Sequence, residues 1–461
     1  LAQIVPDNTL AGEASIVVPG QSLRGLMADR IEGGAIRGSN LFHSFSDFHV
    51  ATGAAAYFSN PIGVENILTR VTGSQPSSIL GRLGVLGSAN LFLLNPNGII
   101  FGAEASLDIA GSFTAATASA IQLGTGQFRA SQPETSQLLA VQPGALFLDA
   151  LTTQQASLSN RGRLIVGKDL TLAAANLDLQ GQLAAGGNLS LRATDQLRLR
   201  DSVSNPAILQ AGRNLLVQGD RSIDLFTLNH PASGLIAGAD LLLRSANPVG
   251  GDARYWAVGN FRIEQLDGQP GNLFSPYDPI IRSQGDVSFS GYQGSSLHIL
   301  AGGRVAIDTV VITSSDTVAD TINPTSTPTL ANVTLSDGTP LVINGNARPT
   351  LDIRAGMDPA AIGTPLGTVG ATFLGDIFFT SSGFLAANPV NNPTATSADI
   401  TIGDAVILAP GGMVYLTNQF APNRSLTGGR IQVTGAGLVN LGVASLGTGG
   451  DGSQIVIDSR S

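Results

Sequence analysis

Side chains able to do chemistry are few in this chain, and most are scattered. Its 461 residues hold four histidines, 33 carboxylates and no cysteine. Without Cys there are no disulfides, thiol nucleophiles or thiolate metal sites. The densest group is Phe42-His43-Ser44-Phe45-Ser46-Asp47-Phe48-His49. Strand alternation puts His43, Phe45, Asp47 and His49 on one face, where His, Asp and His would be metal ligands. The plainer reading is a half-exposed edge strand, and no metal site is assigned. Asp169, Asp240 and Asp286 recur in Gly-x-Asp corners, so a turn role already accounts for them. Gly449-Gly450-Asp451-Gly452-Ser453-Gln454 starts like a calcium nonapeptide repeat, but it occurs once and lacks the Asp at its sixth position. No GxxxxGK[ST] loop exists, and no cofactor is expected.

The elements that would position such residues are short strands. Ala89-Asn90-Leu91-Phe92-Leu93-Leu94-Asn95-Pro96-Asn97-Gly98-Ile99-Ile100-Phe101-Gly102 places strand, turn and strand in one stretch. Pro96 stops any helix, while Asn97 and Gly98 tolerate positive φ. Leu91–Leu94 and Ile99–Phe101 lack alternation, which predicts burial on both faces. From residue 160 a unit recurs: Gly167-Lys168-Asp169-Leu170-Thr171-Leu172, Gly186-Gly187-Asn188-Leu189-Ser190-Leu191, Gly212-Arg213-Asn214-Leu215-Leu216-Val217 and Gly238-Ala239-Asp240-Leu241-Leu242-Leu243. Several three- or four-residue strands per repeat, with almost no helical period, predict a parallel β-helix. The corners are expected to turn because Gly, Asn and Asp accept left-handed conformations.

Composition narrows the function classes. Net charge is −9, charged residues are 12 %, and Lys168 is the only lysine. No basic stripe exists for nucleic acid. No run of 18 apolar residues could span a membrane as a helix. Leu1-Ala2-Gln3 reads as a signal-peptide remnant cut after Ala2. Absence of Cys also suits passage through an oxidising periplasm. Ser131–Gly144 is Gln/Pro-rich and reads as a linker or excursion. Insertions outside the coil are expected near 245–282, around Trp256, and near 311–370. The rhythm is expected to resume at Gly375-Asp376-Ile377-Phe378-Phe379. The last strand, Gln454–Asp458, has no cap, which predicts a longer protein.

Residues Ile4 to Ala130 resemble the N-terminal secretion domain of filamentous-haemagglutinin-like two-partner-secretion exoproteins. Ile4-Val5-Pro6-Asp7 is similar to the mature start of cyanobacterial members. Asn60-Pro61 stands at the first Asn-Pro motif, with Ile62-Gly63 where Asn-Leu is usual. Asn66–Gly73 and Pro76–Gly81 match the next block, and Asn95-Pro96-Asn97-Gly98-Ile99 is the second motif intact. The resemblance implies a right-handed parallel β-helix with an N-terminal cap, the extra-helical insertions being those read above. It divides the chain into residues 1–2 of a signal peptide, a secretion domain at 3–145, and continuing coil at 146–461. It further implies Sec export, recognition by the periplasmic POTRA domains of an outer-membrane β-barrel transporter, and folding outside the cell. Asn60, Pro61, Asn95, Pro96, Asn97, Gly98 and Ile99 either contact that partner or only shape a corner. The function expected is a secreted or cell-surface adhesin or haemagglutinin without catalysis. The alternative is a β-helical polysaccharide lyase or hydrolase, which would group Asp, Glu and Arg on one outer face.

Overall fold

The computed structural model describes residues 3–10, 12–147, 156–317, 330–362, 395–426, 428–440 and 453–459. Helix among them is confined to a 3-10 turn at Pro133–Thr135 and four residues at Pro359–Ile362. The chain forms two compact units, Leu1–Arg198 with Val217–Asp220, and Leu199–Leu216 with Arg221–Ser461. Each is a parallel β-helix.

In the first unit, three strands make a coil. One coil is Ala55–Ser59, Asn66–Val71 and Ser77–Ile79, and the next is Arg82–Leu86, Asn90–Leu94 and Ile99–Phe101. They pair parallel and in register, with Ala55 opposite Arg82, Asn66 opposite Asn90 and Ser77 opposite Ile99. Ile67, Leu91, Phe113 and Leu170 fall on one inward line and are all buried. Each such side chain contributes roughly 1.5–3 kcal/mol by leaving water, which is why a coil is stable only when stacked.

The start of the chain does not coil. Gln3–Pro6 pairs antiparallel with Asn40–His49, Ser15–Leu23 with Leu26–Gly33, and Ala35–Arg37 with Asn40–His49. The later strands of this cap then begin the parallel ladders, Leu26–Gly33 with Ala55–Ser59 and Asn40–His49 with Asn66–Val71. Backbone groups that an open first coil would expose are thereby paired. Ser131–Gly144, expected as a linker or excursion, connects two strands of a three-stranded antiparallel sheet of Gly126–Arg129, Ala120–Leu123 and Pro143–Phe147. The sheet's Ile121, Leu123 and Phe128 cover Phe42, Leu68 and Leu94 on the outside of the coil. Double-sided burial therefore extends to Phe92, which packs under this sheet, but not to Ile100, which is 40 % exposed.

In the second unit, Ile208–Ala211, Gly234–Ala237, Arg254–Ala257, Ile280–Ser283, Leu297–Ala301, Thr350–Arg354, Met413–Thr417 and Gln454–Asp458 stack as one parallel ladder. The insertion expected near 245–282 is corrected: Val249–Asp252, Arg254–Ala257, Phe261–Glu264, Asn272–Ser275 and Ile280–Ser283 are all coil strands. Trp256 lies opposite Ile236 and Arg282 and is buried. Pro248, Pro276 and Pro279 fall between strands, and Pro270 makes an isolated bridge, so no ladder strand loses an N–H to them. The insertion near 311–370 is narrower than expected, since Thr350–Arg354 belongs to the coil. Its described part outside the ladders includes an antiparallel hairpin, Leu330–Thr334 with Pro340–Asn344. Gly375–Phe379 and residues 1–2 lie outside the described residues.

The corners turn for a different reason than expected. Gly187 in the first unit and Gly259 and Gly303 in the second do not have positive φ. A Cβ on any of them would overlap the carboxylate of Asp169, Asp240 or Asp286 from the preceding coil. Those carboxylates accept backbone N–H bonds from Asn188 (2.7 Å), Asn260 (2.8 Å) and Arg304 (3.1 Å). Glycine here provides clearance for a capping bond between coils.

Candidate functional site

Asn95 sits where Asn90–Leu94 ends and is fully buried. Its Nδ2 donates to Gln75 O (2.9 Å) and Ser77 Oγ (3.0 Å) in the coil before. Its Oδ1 accepts from Asn97 N (2.9 Å) and Asn97 Nδ2 (3.2 Å), an Asx turn. Gly98 N donates to Asn95 O at 3.1 Å and closes the corner, and Asn97 Nδ2 donates to Gly73 O at 2.7 Å. Only Gly98 takes a positive φ, 126°, and Asn97 does not. Ile99 then enters the core opposite Ser77 and Leu158. The side chains at 95 and 97 thus join one corner to the preceding one, and Pro96 is half-buried above them.

Asn60 and Pro61 occupy a different corner, after Ala55–Ser59. Asn60 Nδ2 donates to Val64 O (2.9 Å) and Pro61 O (3.3 Å), and its Oδ1 accepts from Ala89 N (3.0 Å) in the next coil. Pro61, Ile62 and Gly63 are exposed, with Gly63 at φ 84°. The two motifs do not meet. They do the same work at two corners, each Asn holding its own turn and reaching an adjacent coil.

A second network was missed from sequence. Arg70 is fully buried in the strand Asn66–Val71, all of whose residues are buried. Its Nε donates to Ser44 Oγ (2.8 Å), its Nη1 to Arg129 O (2.8 Å) and Ser136 Oγ (2.5 Å), and its Nη2 to Thr9 O and Oγ1 (both 2.8 Å). Its guanidinium lies 4.7 Å from the Phe128 ring centroid. Burial lowers the guanidinium to about 10. Beside it, burial pushes the Asp7 carboxyl up, but hydrogen bonds from Thr72, Thr9 and Ser44 outweigh this and hold it below its ordinary value. Asn40, Asn66 and Asn90 stack above one another through Nδ2–Oδ1 bonds of 3.0 and 2.9 Å, and Asn40 also donates to Leu139 O and Val141 O. Together these tie the N-terminal strand and the excursion sheet to the first coils. The sequence signal is Arg70 as the one charged residue of the strand Asn66–Val71.

The histidines correct the edge-strand reading. His43 is fully buried, its strand paired on both sides, and burial lowers the imidazole to about 3. Its ring stacks on Phe45 at 6.0 Å, and its Nδ1 lies 3.0 Å from Ser15 Oγ. Val5 pairs with Asp47 but Pro6 with Phe45, so an irregularity at Ser46 breaks the alternation. His43, Phe45 and Phe48 therefore form a chain of ring contacts, and His49 instead accepts from Ser78 N. Among the described residues no three His, Asp or Glu side chains are grouped to hold a metal ion. In the second unit His298 is buried between Asp316 (Nε2–Oδ2, 3.1 Å) and Asp352 (Nδ1–Oδ2, 3.4 Å), with Arg354 on Asp352 at 2.8 Å. Burial lowers the imidazole, but its two carboxylate partners outweigh this and raise it to about 10.

The chain matches the TPS secretion domain family over residues 2–263, a longer stretch than 3–145. The crystal structure of the filamentous hemagglutinin secretion domain is 15 % identical, with 67 % of this chain and 96 % of that chain covered and a TM-score of 0.29. The HMW1 secretion domain from Haemophilus influenzae is 14 % identical, with 96 % and 97 % covered and a TM-score of 0.35. No curated protein matches the chain.

Proposed function

The chain belongs to the TPS, or two-partner-secretion, secretion domain family, and from that premise we propose that its N-terminal region directs export and nucleates folding. The family implies a secreted exoprotein that crosses the periplasm and leaves through a partner outer-membrane transporter. In our reading the transporter recognises the unfolded chain through periplasmic POTRA domains, with residues 3–145 carrying the signal. Outside the cell, the cap forms first and each coil then templates the next. The observation that carries this reading is the Asn95 corner, whose buried amide is spent on holding one coil to the coil before it. The Asn-Pro motifs accordingly act through the fold and not through a direct contact with the transporter. The whole protein is proposed to be an adhesin or haemagglutinin at the cell surface, with no catalysis by this segment.

The test is expression of Gln3–Ser461 behind a signal peptide, with and without the partner transporter. Folded, protease-resistant protein in the medium only when the transporter is present is the expected result. Equal release without it overturns the proposal.

A further inference from the structure

One outward row in the second unit is open and aromatic. Ser222–Phe226, Val249–Asp252, Asn272–Ser275, Val287–Gly294 and Val305–Ile312 pair so that Asp224, Gly250, Phe274, Gln293 and Val311 follow one another across the strands. Leu273 and Ser275 are buried, and Phe274 between them points outward, 45 % exposed. Gly250 and Gly291 place no side chain beside it. The ring stands between two open troughs, of about 290 Å³ and 360 Å³. Arg200, Asp224, Phe226 and Tyr277 line the first, and Asn272, Gln293 and Thr309 the second. Phe226 and Tyr277 meet edge to face at 5.2 Å, and Tyr277 is 42 % exposed. The Asn272 and Gln293 amides are exposed and make no hydrogen bond among the described residues.

We propose that these two troughs form a binding shelf for a neutral oligosaccharide. A pyranose ring presents an apolar C–H face that stacks on an exposed aromatic ring, and a rim of hydroxyls that both donate and accept. Amides and a carboxylate answer those hydroxyls, and apolar surface with a few placed polar groups is the general make-up of a small-molecule site. The charge argues for a neutral sugar over a sulfated one. The chain carries −9, and Arg200 is already spent on the Asp224 carboxylate and the carbonyls of Leu199 and Asp224. Cleavage is not part of the proposal. Glycoside hydrolysis uses two carboxyl groups flanking the bond. The second carboxyl here, Asp252, is buried, and its Oδ1 accepts from Ser275 Oγ (2.5 Å), Tyr277 N (2.9 Å) and Asp278 N (3.3 Å), which makes it a turn-former. The shelf gives the adhesin reading a ligand class and rests on that reading only for its biological use.

The experiment is titration calorimetry of the purified full chain with cellotetraose, chitotetraose, mannotetraose and a heparin tetrasaccharide. At least one neutral tetrasaccharide is expected to bind. Phe274→Ala and Tyr277→Ala should each weaken that binding by roughly tenfold, as loss of an aromatic stacking partner does, in a chain whose circular dichroism shows it still folded. The pair Asn272→Ala and Gln293→Ala should weaken it with both rings intact. No binding of any neutral sugar, tighter binding of heparin, undiminished binding in the variants, or release of new reducing ends overturns the proposal. Transporter-dependent export of a chain that binds no sugar would overturn the shelf alone and leave the secretion reading standing.

Discussion

Replacing Arg70 by Met keeps most of the side-chain volume and removes every hydrogen bond the guanidinium makes. Thr9 O, Arg129 O, Ser136 Oγ and Ser44 Oγ would each lose a donor, Ser44 at a fully buried position and the other three at half-buried ones. Removing the charged member of a buried network costs about 3–5 kcal/mol, because the carbonyls it held and the Asp7 carboxylate beside it are left without their cation. The loss should be local. The residues released belong to the N-terminal strand and the excursion sheet, while the coil beyond keeps its ladder. Amide exchange would read this directly. Asp7 N, bonded to Ser44 O at 3.3 Å, and Ala130 N, bonded to Ser119 O at 2.7 Å, should exchange roughly 100- to 5,000-fold faster. Gln182 N, bonded to Gly162 O at 3.0 Å in the same unit, should change little. A change below about 1 kcal/mol at the first two amides, against the buried-network expectation, would refute the reasoning. So would an equal change at all three.

Two pH effects follow from neighbouring carboxylates. The Asp7 carboxyl is depressed in the folded chain, so its contribution is present above its unfolded value near 3.9 and is lost as pH falls through the lower folded value. Docking of Gln3–Pro6, followed by exchange of Asp7 N, should therefore weaken in acid, and Asp7→Asn should remove that sensitivity. His298 is raised to about 10, so its contribution is complete below 6.5 and lost as pH rises through 10. The groups facing it are Asp316, Asp352 and, through Asp352, Arg354. The melting-temperature gap between wild type and His298→Phe should narrow from pH 6.5 to 10, and a constant gap would contradict the assignment.

Strand content and coil period were legible because leucines at i and i+2 and regularly recurring Gly-x-Asp corners are local signals. Leu170 and Leu172, Leu189 and Leu191, and Leu241 and Leu243 are all buried. Where the reading went astray, the deciding fact was a neighbour far away in sequence. Trp256 looked like an insertion because aromatics and prolines cluster there, yet it lies in a coil strand between Ile236 and Arg282. The alternation that grouped His43, Asp47 and His49 failed because pairing with Gln3–Pro6 is irregular at Ser46. The Asn95 corner was visible as a turn, but not its bonds to Gln75 and Ser77, which exist only once a coil has closed.

The claim that the Asn-Pro corner serves export through the fold is tested most directly by Asn95→Ala and Asn97→Ala in the full chain, each assayed twice. One assay is refolding of the purified protein followed by urea unfolding; the other is transporter-dependent appearance in the medium. Asn95→Ala removes the bonds to Gln75, Asn97 and the buried Ser77 hydroxyl and should cost about 2–4 kcal/mol, whereas Asn97→Ala, which loses chiefly the bond to Gly73, should cost about 1 kcal/mol. The account predicts that export falls in the same order as stability. A variant that refolds with wild-type stability yet is not exported would contradict it and make the corner a contact for the transporter.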